Sequence, residues 1–462
     1  MRFKEQLIAL GLTVCVSGCY TKYEPKTQFP EGFKFEEVRH NTLPDDIDIL
    51  TVDEAKKVAL ENNRDFKAIE YSMKAAWAKY QQTLAAYYPR LYVTGGINHS
   101  ESDYSGRNNY YEPDTKGWRS SAALNVEYLI FNGMIRKMNK LSAEHSAKAS
   151  EHAHEDAKRL LIKSVDMQYN QILSIIENIK IAEADKEFQI KLLHDTELKF
   201  NAGTASQSDV LNFKVKVDSA KSTLIGAKYD LKNAKIILAQ LMGLSESALD
   251  ENVQFPQLSS DNDVALQDIK LYLDMALANR PDLKLYRENM KSNQYALYAK
   301  YGTYWPVLMA NASSEFVSSD KNADNGVDPE FDSNNYTYGV SLSWDLFDGF
   351  ARDNAVKEAE AILKQSEIDL ESTWISVVQE VKTAYNTYIQ RSQQYVLLNE
   401  IVELQKKTRD LVEIEYKTGT VELTRLNEAQ KDYIVAENQM IGALIDVYNA
   451  KAQLEAAINS KL

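Results

Sequence analysis

The sequence states one pattern twice. Ala59-Leu60-Glu61-Asn62-Asn63-Arg64-Asp65 returns as Ala276-Leu277-Ala278-Asn279-Arg280-Pro281-Asp282. Tyr88-Pro89 returns as Trp305-Pro306, and Phe131-Asn132-Gly133 as Phe347-Asp348-Gly349. Phe200-Asn201-Ala202-Gly203-Thr204 returns as Tyr416-Lys417-Thr418-Gly419-Thr420, and Asn233-Ala234-Lys235 as Asn449-Ala450-Lys451. The offset is 217 residues up to the prolines and 216 after them. Matches in one order at a constant spacing mark a duplicated supersecondary unit, so the fold is built from two copies of one piece. The copies span 51–243 and 268–462, joined by a polar linker, 244–267, that contains Pro256.

Each copy changes period along its length. Thr51-Val52-Asp53-Glu54 is a capping-box pattern that opens a helix. Phe66, Ile69, Met73, Ala76, Tyr80, Leu84 and Tyr87 then follow at helical spacing, as do Leu283, Tyr286, Met290, Leu297, Tyr301 and Tyr304 in the second copy. Pro89 and Pro306 stop these helices. Beyond each proline the period becomes two, predicting strands over about 90–100, 118–131, 307–317 and 336–347. Their apolar faces carry Leu91, Val93 and Ile97, then Leu124, Val126 and Tyr128, then Leu308, Ala310 and Phe316, and finally Val340, Leu342, Trp344 and Leu346. Thr94, Asn125, Glu127, Ser341 and Ser343 alternate with them. Strands of about ten residues with one apolar and one polar face suit a transmembrane β-barrel, with lipid outside and water inside. A soluble hairpin with one buried face would show the same alternation.

No Gly or Pro interrupts Gly133 to Phe200, or Gly349 to Tyr416. About 65 residues of helix make a rod of roughly 100 Å. Its seam runs through Ile162, Val165, Tyr169, Ile172, Ile176 and Ile179, and in the second copy through Val378, Val381, Tyr385, Tyr388, Ser392 and Tyr395. This is coiled-coil spacing. Gly203 and Gly419 end the rods as left-handed caps. Ser206-Gln207-Ser208-Asp209, a second capping-box pattern, starts a helix that returns through Val210, Val217, Leu224 and Leu231 to Leu241.

Composition agrees with long helices: 17 Gly and 9 Pro are few breakers for 462 residues. A net charge of −14 argues against a nucleic-acid partner. Beyond the N-terminus no apolar stretch reaches 18 residues, so no membrane-spanning helix is expected. Arg2 and Lys4 precede an apolar run from Leu7 to Val16, predicting a signal peptide over 1–18. Val16-Ser17-Gly18-Cys19 resembles the bacterial lipoprotein cleavage box, which would make Cys19 the acylated first residue; an ordinary signal with an incidental Cys is the alternative. Tyr20 in place of Asp favours the outer membrane. Residues 19–50, with Pro25, Pro30 and Pro44, read as an extended strap.

Two hairpins give four strands, and the smallest single-chain barrels have eight. Open strand edges in lipid leave backbone groups unpaired at several kcal/mol each. If these strands span a membrane, the barrel is therefore shared between chains, and copies would bury the rod seams between neighbours. The duplication, Asn279-Arg280-Pro281-Asp282-Leu283, the Phe-Asx-Gly turns and Ala202-Gly203-Thr204 with Ser208-Asp209-Val210-Leu211 together resemble the TolC-like outer-membrane efflux proteins. The resemblance runs from about Leu50 to the C-terminus. It implies an α+β fold in which a long α-helical barrel continues a transmembrane β-barrel shared by three chains. It also implies a duct that passively conducts substrates to the exterior from a periplasmic adaptor and inner-membrane pump, for efflux or type I secretion. Drug, metal and protein export are not separable here.

No catalytic cluster, phosphate loop or cofactor site is visible, and no metal site is expected. His145 and His152 share a helix face without a third ligand, which reads as a solvated face. In the resembled family the periplasmic aperture is held by polar links. Asp209 and Tyr416 match partners in such a link, and Arg425 and Glu428 match positions that carry acidic rings in some members. Arg425 departs from that pattern and needs a partner such as Glu428 or Glu422; solvated tip charges are the plainer reading. A lipid-anchored coiled-coil spacer without a pore is the competing function, but it needs neither the alternating strands nor the polar loops Glu101–Gly117 and Ser318–Asn335.

Overall fold

Thr51 caps the first helix as its pattern predicts: Glu54 N–H donates to Thr51 Oγ1 at 3.3 Å, and Thr51 N–H donates to Glu54 Oε2 at 2.9 Å. The computed structural model describes residues 43, 49–102, 115–246, 248–249, 253–258, 266–323 and 330–461. The signal peptide, Cys19, most of the strap and the tips of both polar loops lie outside these residues.

Where one opening helix was expected in each copy there are two. Helix α1 (Val52–Asn62) stops because Asn63 leaves the helical region, with ψ at 126°. The Asn63 carboxamide oxygen then accepts from Phe66 N–H at 2.9 Å and caps α2 (Arg64–Leu84). In the second copy α5 (Ile269–Asn279) breaks at Arg280, and Pro281 begins α6 (Pro281–Gly302). A single 3-10 turn, Ala85–Tyr87, carries α2 toward Pro89. Strands β1 (Arg90–Ser102) and β2 (Thr115–Asn132) lead to α3 (Ile135–Asn201), and α4 (Gln207–Leu241) returns. Strands β3 (Val307–Ala323) and β4 (Glu330–Ser343), α7 (Ala351–Lys417) and α8 (Leu423–Ile458) repeat the order. Both rods have 67 residues, roughly 100 Å. Strand β4 ends at Ser343, short of the expected 347, because its partner β3 begins opposite it at Val307, after Pro306, which has no N–H for the ladder; Trp344 then donates its indole N–H to the Tyr304 carbonyl at 3.1 Å.

The strands form one antiparallel sheet in the order β1-β2-β3-β4. Strands β2 and β3 join the two copies, leaving β1 and β4 as edges. Val93 faces Leu124, Val126 faces Ala312, and Leu308 faces Leu342, so the apolar positions share one side across all four strands.

The rod seams are buried inside the chain rather than kept for neighbouring copies. Val165, Tyr169 and Ile172 pack with Leu50, Val58, Leu238 and Met242. Val381 and Tyr388 pack with Tyr272, Leu283, Val447 and Leu454. Each return helix lies along its own rod and covers the seam first. Nor is the linker uniformly polar and free: Leu244, Leu249 and Val253 join the first core. Tyr169 hydroxyl donates to the Leu50 carbonyl at 2.8 Å, and Leu50 N–H donates to Gln254 O at 2.9 Å.

The duplication extends to single contacts. Asn63 Nδ2 donates to the Leu241 carbonyl at 2.9 Å; the equivalent Arg280 Nη1 donates to the equivalent Ala457 carbonyl at 3.2 Å. Gly243 caps α4 at φ +71°, where a Cβ would lie 2.3 Å from Asn62 O. Its counterpart Asn459 holds φ +51° and donates Nδ2 to Asn279 O, the counterpart of Asn62 O, at 3.2 Å.

Candidate functional site

Two ends of the molecule carry the features relevant to function. At the sheet end large apolar side chains stand uncovered: Val93 is 69 % exposed, Tyr338 85 % and Leu342 64 %. The opposite face carries polar groups that bond to one another in the first hairpin. Tyr92 hydroxyl donates to Glu127 Oε1 at 2.6 Å, and Asn125 Nδ2 donates to Thr94 Oγ1 at 3.1 Å. A sheet with apolar groups outward and bonded polar groups inward fits lipid on one side and water on the other. No helix among the described residues is long and apolar enough to cross a membrane.

Below the sheet one arginine staples each copy. Arg136 Nη1 donates to Leu129 O at 2.8 Å and Ala86 O at 3.1 Å, with its guanidinium 4.4 Å over the Tyr87 ring. Arg352 lies 5.4 Å over Tyr304 and pairs with Asp348 at 3.0 Å. Sequence reading missed both, though they sit at the repeat offset. Gly133 and Gly302 meet here across the copies, where a Cβ on Gly133 would lie 2.0 Å from Gly302 O.

At the far end Gly203 and Gly419 take φ of +76° and +78°. The following residues close each rod, with Thr204 N–H donating to Lys199 O and Thr420 N–H to Glu415 O, at 2.8 and 2.9 Å. Leu192, Phe213, Val412 and Leu426, one from each of the four helices, form a small core beside the turns. Ser206 caps α4 and Asp209 completes the capping box: its carboxylate accepts from Ser206 Oγ at 2.7 Å and Ser206 N at 3.0 Å, and the Ser206 hydroxyl and backbone N–H hold its pKa below the usual carboxylate range. Tyr416 is half-buried under Lys199, whose ammonium lies 4.2 Å from the ring centroid. Asp209 and Tyr416 are not bonded to each other within the chain. Arg425 pairs with Glu428 at 3.5 Å, and its backbone N–H, rather than its side chain, meets Glu422.

One polar network near the tip had no periodic signal. Asp185 Oδ1 accepts from Gln189 at 3.1 Å and from Gln430 at 3.2 Å, linking α3 to α8. Arg409 lies 4.9 Å over Tyr433, whose phenol is pushed up to about 12 by burial and the nearby Glu437 carboxylate. His145 is not on a solvated face. It pairs with Glu288 of α6 at 2.6 Å and stacks on Tyr295. His152 pairs with Glu155 at 3.0 Å. No group of three or more metal-ligating side chains occurs among the described residues.

The family model described as outer membrane efflux protein matches residues 56–244 and 272–460, one match per copy of the unit. The chain belongs to this family. The efflux protein is 23 % identical over 407 residues to outer membrane protein TolC of Vibrio cholerae, covering 87 % of this chain and 89 % of that one. Its fold matches the outer-membrane channel OprN with a TM-score of 0.77 at 16 % identity, over 88 % of this chain and 90 % of that one. It matches the Campylobacter jejuni CmeC outer membrane channel with 0.76 at 16 %, over 94 % and 93 %. The efflux protein is thus an outer-membrane protein whose sheet sits at the membrane and whose rods extend into the periplasm.

Proposed function

We propose that this efflux protein is the exit duct of a tripartite efflux or type I secretion system. It works as a homotrimer, docks by its helical tips onto a periplasmic adaptor and inner-membrane transporter, and conducts substrates passively. One observation supports this above the rest: a four-stranded sheet, apolar on its outward face and open at both edges, continues into rods of roughly 100 Å. Three copies would supply twelve strands and remove the edges. A spacer without a pore has no use for such a sheet.

Cys19 is the proposed lipid attachment. Tyr169 holds Leu50 about 50 Å below the start of α3. The roughly thirty residues back to Cys19 reach about 100 Å when extended, enough to return to the membrane. Asp209, Tyr416, Arg425 and Glu428 are the proposed aperture residues, with links running between copies.

Native mass spectrometry in detergent and single-channel recording in planar bilayers test the reading together. Trimers that conduct are the expected result. A stable monomer without conductance would overturn it. The co-purifying inner-membrane transporter would then identify the exported class.

A further inference from the structure

The repeated Asn-Ala-Lys motif has no part in the duct described so far. Its second asparagine, Asn449 on α8, accepts a hydrogen bond from Asn170 Nδ2 on α3 at 3.0 Å. Asn170 is 9 % exposed, and the pair ties the first copy's rod to the second copy's return helix. Moving Asn170 forward by the 216-residue offset gives Asn386 on α7, and moving Asn449 back gives Asn233 on α4. Both positions are again asparagine. Both are exposed, and neither makes a side-chain hydrogen bond among the described residues.

Apolar positions around the pair behave in the same way. Ile181 on α3 is 8 % exposed, but its counterpart Leu397 on α7 is 60 % exposed. Ile445 and Ala452 on α8 are 4 % and 8 % exposed, while their counterparts Tyr229 and Ile236 on α4 are 63 % and 48 % exposed. Thus α7 and α4 display, uncovered, the surfaces that α3 and α8 cover for each other. A chain holding two copies of one unit leaves a second-copy face open on one side and a first-copy face on the other. Those faces complement one another head to tail, the condition for a closed ring.

We infer that Asn386 of one copy hydrogen-bonds Asn233 of the neighbouring copy, repeating the Asn170–Asn449 clasp across the subunit boundary. This rests on the proposed trimer and adds the contact that sets its helix register. The exposed Tyr229 and Ile236 flank Asn233 one turn to either side, so sliding one helix by a turn would press the Asn386 amide against apolar side chains without a partner. Buried asparagine pairs select register in this way. Three clasps within chains and three between them form a ring of six amide pairs at the level of the Tyr169 contact.

Cysteine cross-linking tests the register. Both native cysteines precede residue 20, so added thiols stand alone in the rods. Asn386→Cys with Asn233→Cys should give SDS-stable dimers and trimers with a short bismaleimide. Asn386→Cys with Ile237→Cys, one turn away on the same face, should give several-fold less. The opposite preference overturns the inference. Native mass spectrometry of both variants separates the two levels: trimers that fail to link through 386 and 233 sink the clasp alone, and monomers sink the trimer as well. A second readout uses Asn386→Ala, Asn233→Ala and the double variant. If the residues are partners, the double should dissociate on heating at about the temperature of the weaker single; fully additive losses would overturn the clasp.

Discussion

Arg280 is 4 % exposed and holds three groups: Asp282 at 2.6 Å, Glu380 at 2.5 Å and the last-turn carbonyl of α8 at 3.2 Å. Arg280→Met would strand two carboxylates at the joint between α5 and α6. Breaking one side of a buried ion pair costs about 3–5 kcal/mol, and the partial exposure of Glu380 puts this case at the lower end. Urea unfolding followed by helical circular dichroism should show it. Burial opposes ionisation of Asp282, but the Arg280 guanidinium outweighs it and holds the carboxyl below its ordinary value. Its contribution is complete above the unfolded carboxylate value of about 3.9 and is lost as pH falls through the lower folded value. The midpoint difference between wild type and Arg280→Met should therefore shrink in acid below about pH 4. At the tip, Asp209→Ala removes the carboxylate half of the α4 capping box, a loss of about 0.5–1.5 kcal/mol, besides any link between copies. Combined with Tyr416→Phe it should raise conductance in planar bilayers, with the rods still helical. Arg425→Ala deletes one positive charge per copy and should raise cation preference. An unchanged reversal potential in a salt gradient would place Arg425 and Glu428 outside the aperture.

Among the elements, those with a strong period were legible in sequence: rods, return helices and strands all stand near their expected places. What failed was where faces go. A heptad seam records that a stripe is covered, not whether the cover belongs to the same chain, and here α4 and α8 of the same chain supply it. The break at Asn63 was hidden because asparagine ends one helix and caps the next without a Pro or Gly; only the equivalent Arg280-Pro281 hints at it. The staples Arg136 and Arg352 and the tip network through Asp185 are single polar contacts, which leave no periodic trace. On the sheet, Leu342→Arg puts a charge on the apolar face, at about 2–4 kcal/mol near mid-bilayer, and should block assembly. Ser341→Arg points the other way and should assemble; heat-resistant trimers on gels report both. The offset also sets the seam between copies. Leu124 opposes Ser314 within the chain, so Val340 should oppose Ile97 of the neighbour. Cysteines at 340 and 97 should cross-link, and those at 342 and 97 should not.

As a whole the molecule carries two membrane attachments: the sheet, and the proposed acyl chains on Cys19. Acyl chains bind at about 0.8 kcal/mol per buried CH₂, yet an assembled barrel needs none of them to stay inserted. Cys19→Ala should abolish lipid labelling while the assembled trimer remains in the membrane fraction after high-salt washing. Release into the soluble fraction would mean that the strands do not span the bilayer. The two bare edges of the sheet bear on kinetics as well. A lone chain that entered lipid would take unpaired strand backbone with it, so insertion must wait for encounter. The insertion rate into vesicles should then rise more steeply than in proportion to chain concentration, with a lag at high dilution. The helical rods, whose seams close within one chain, should form first and at a rate independent of concentration.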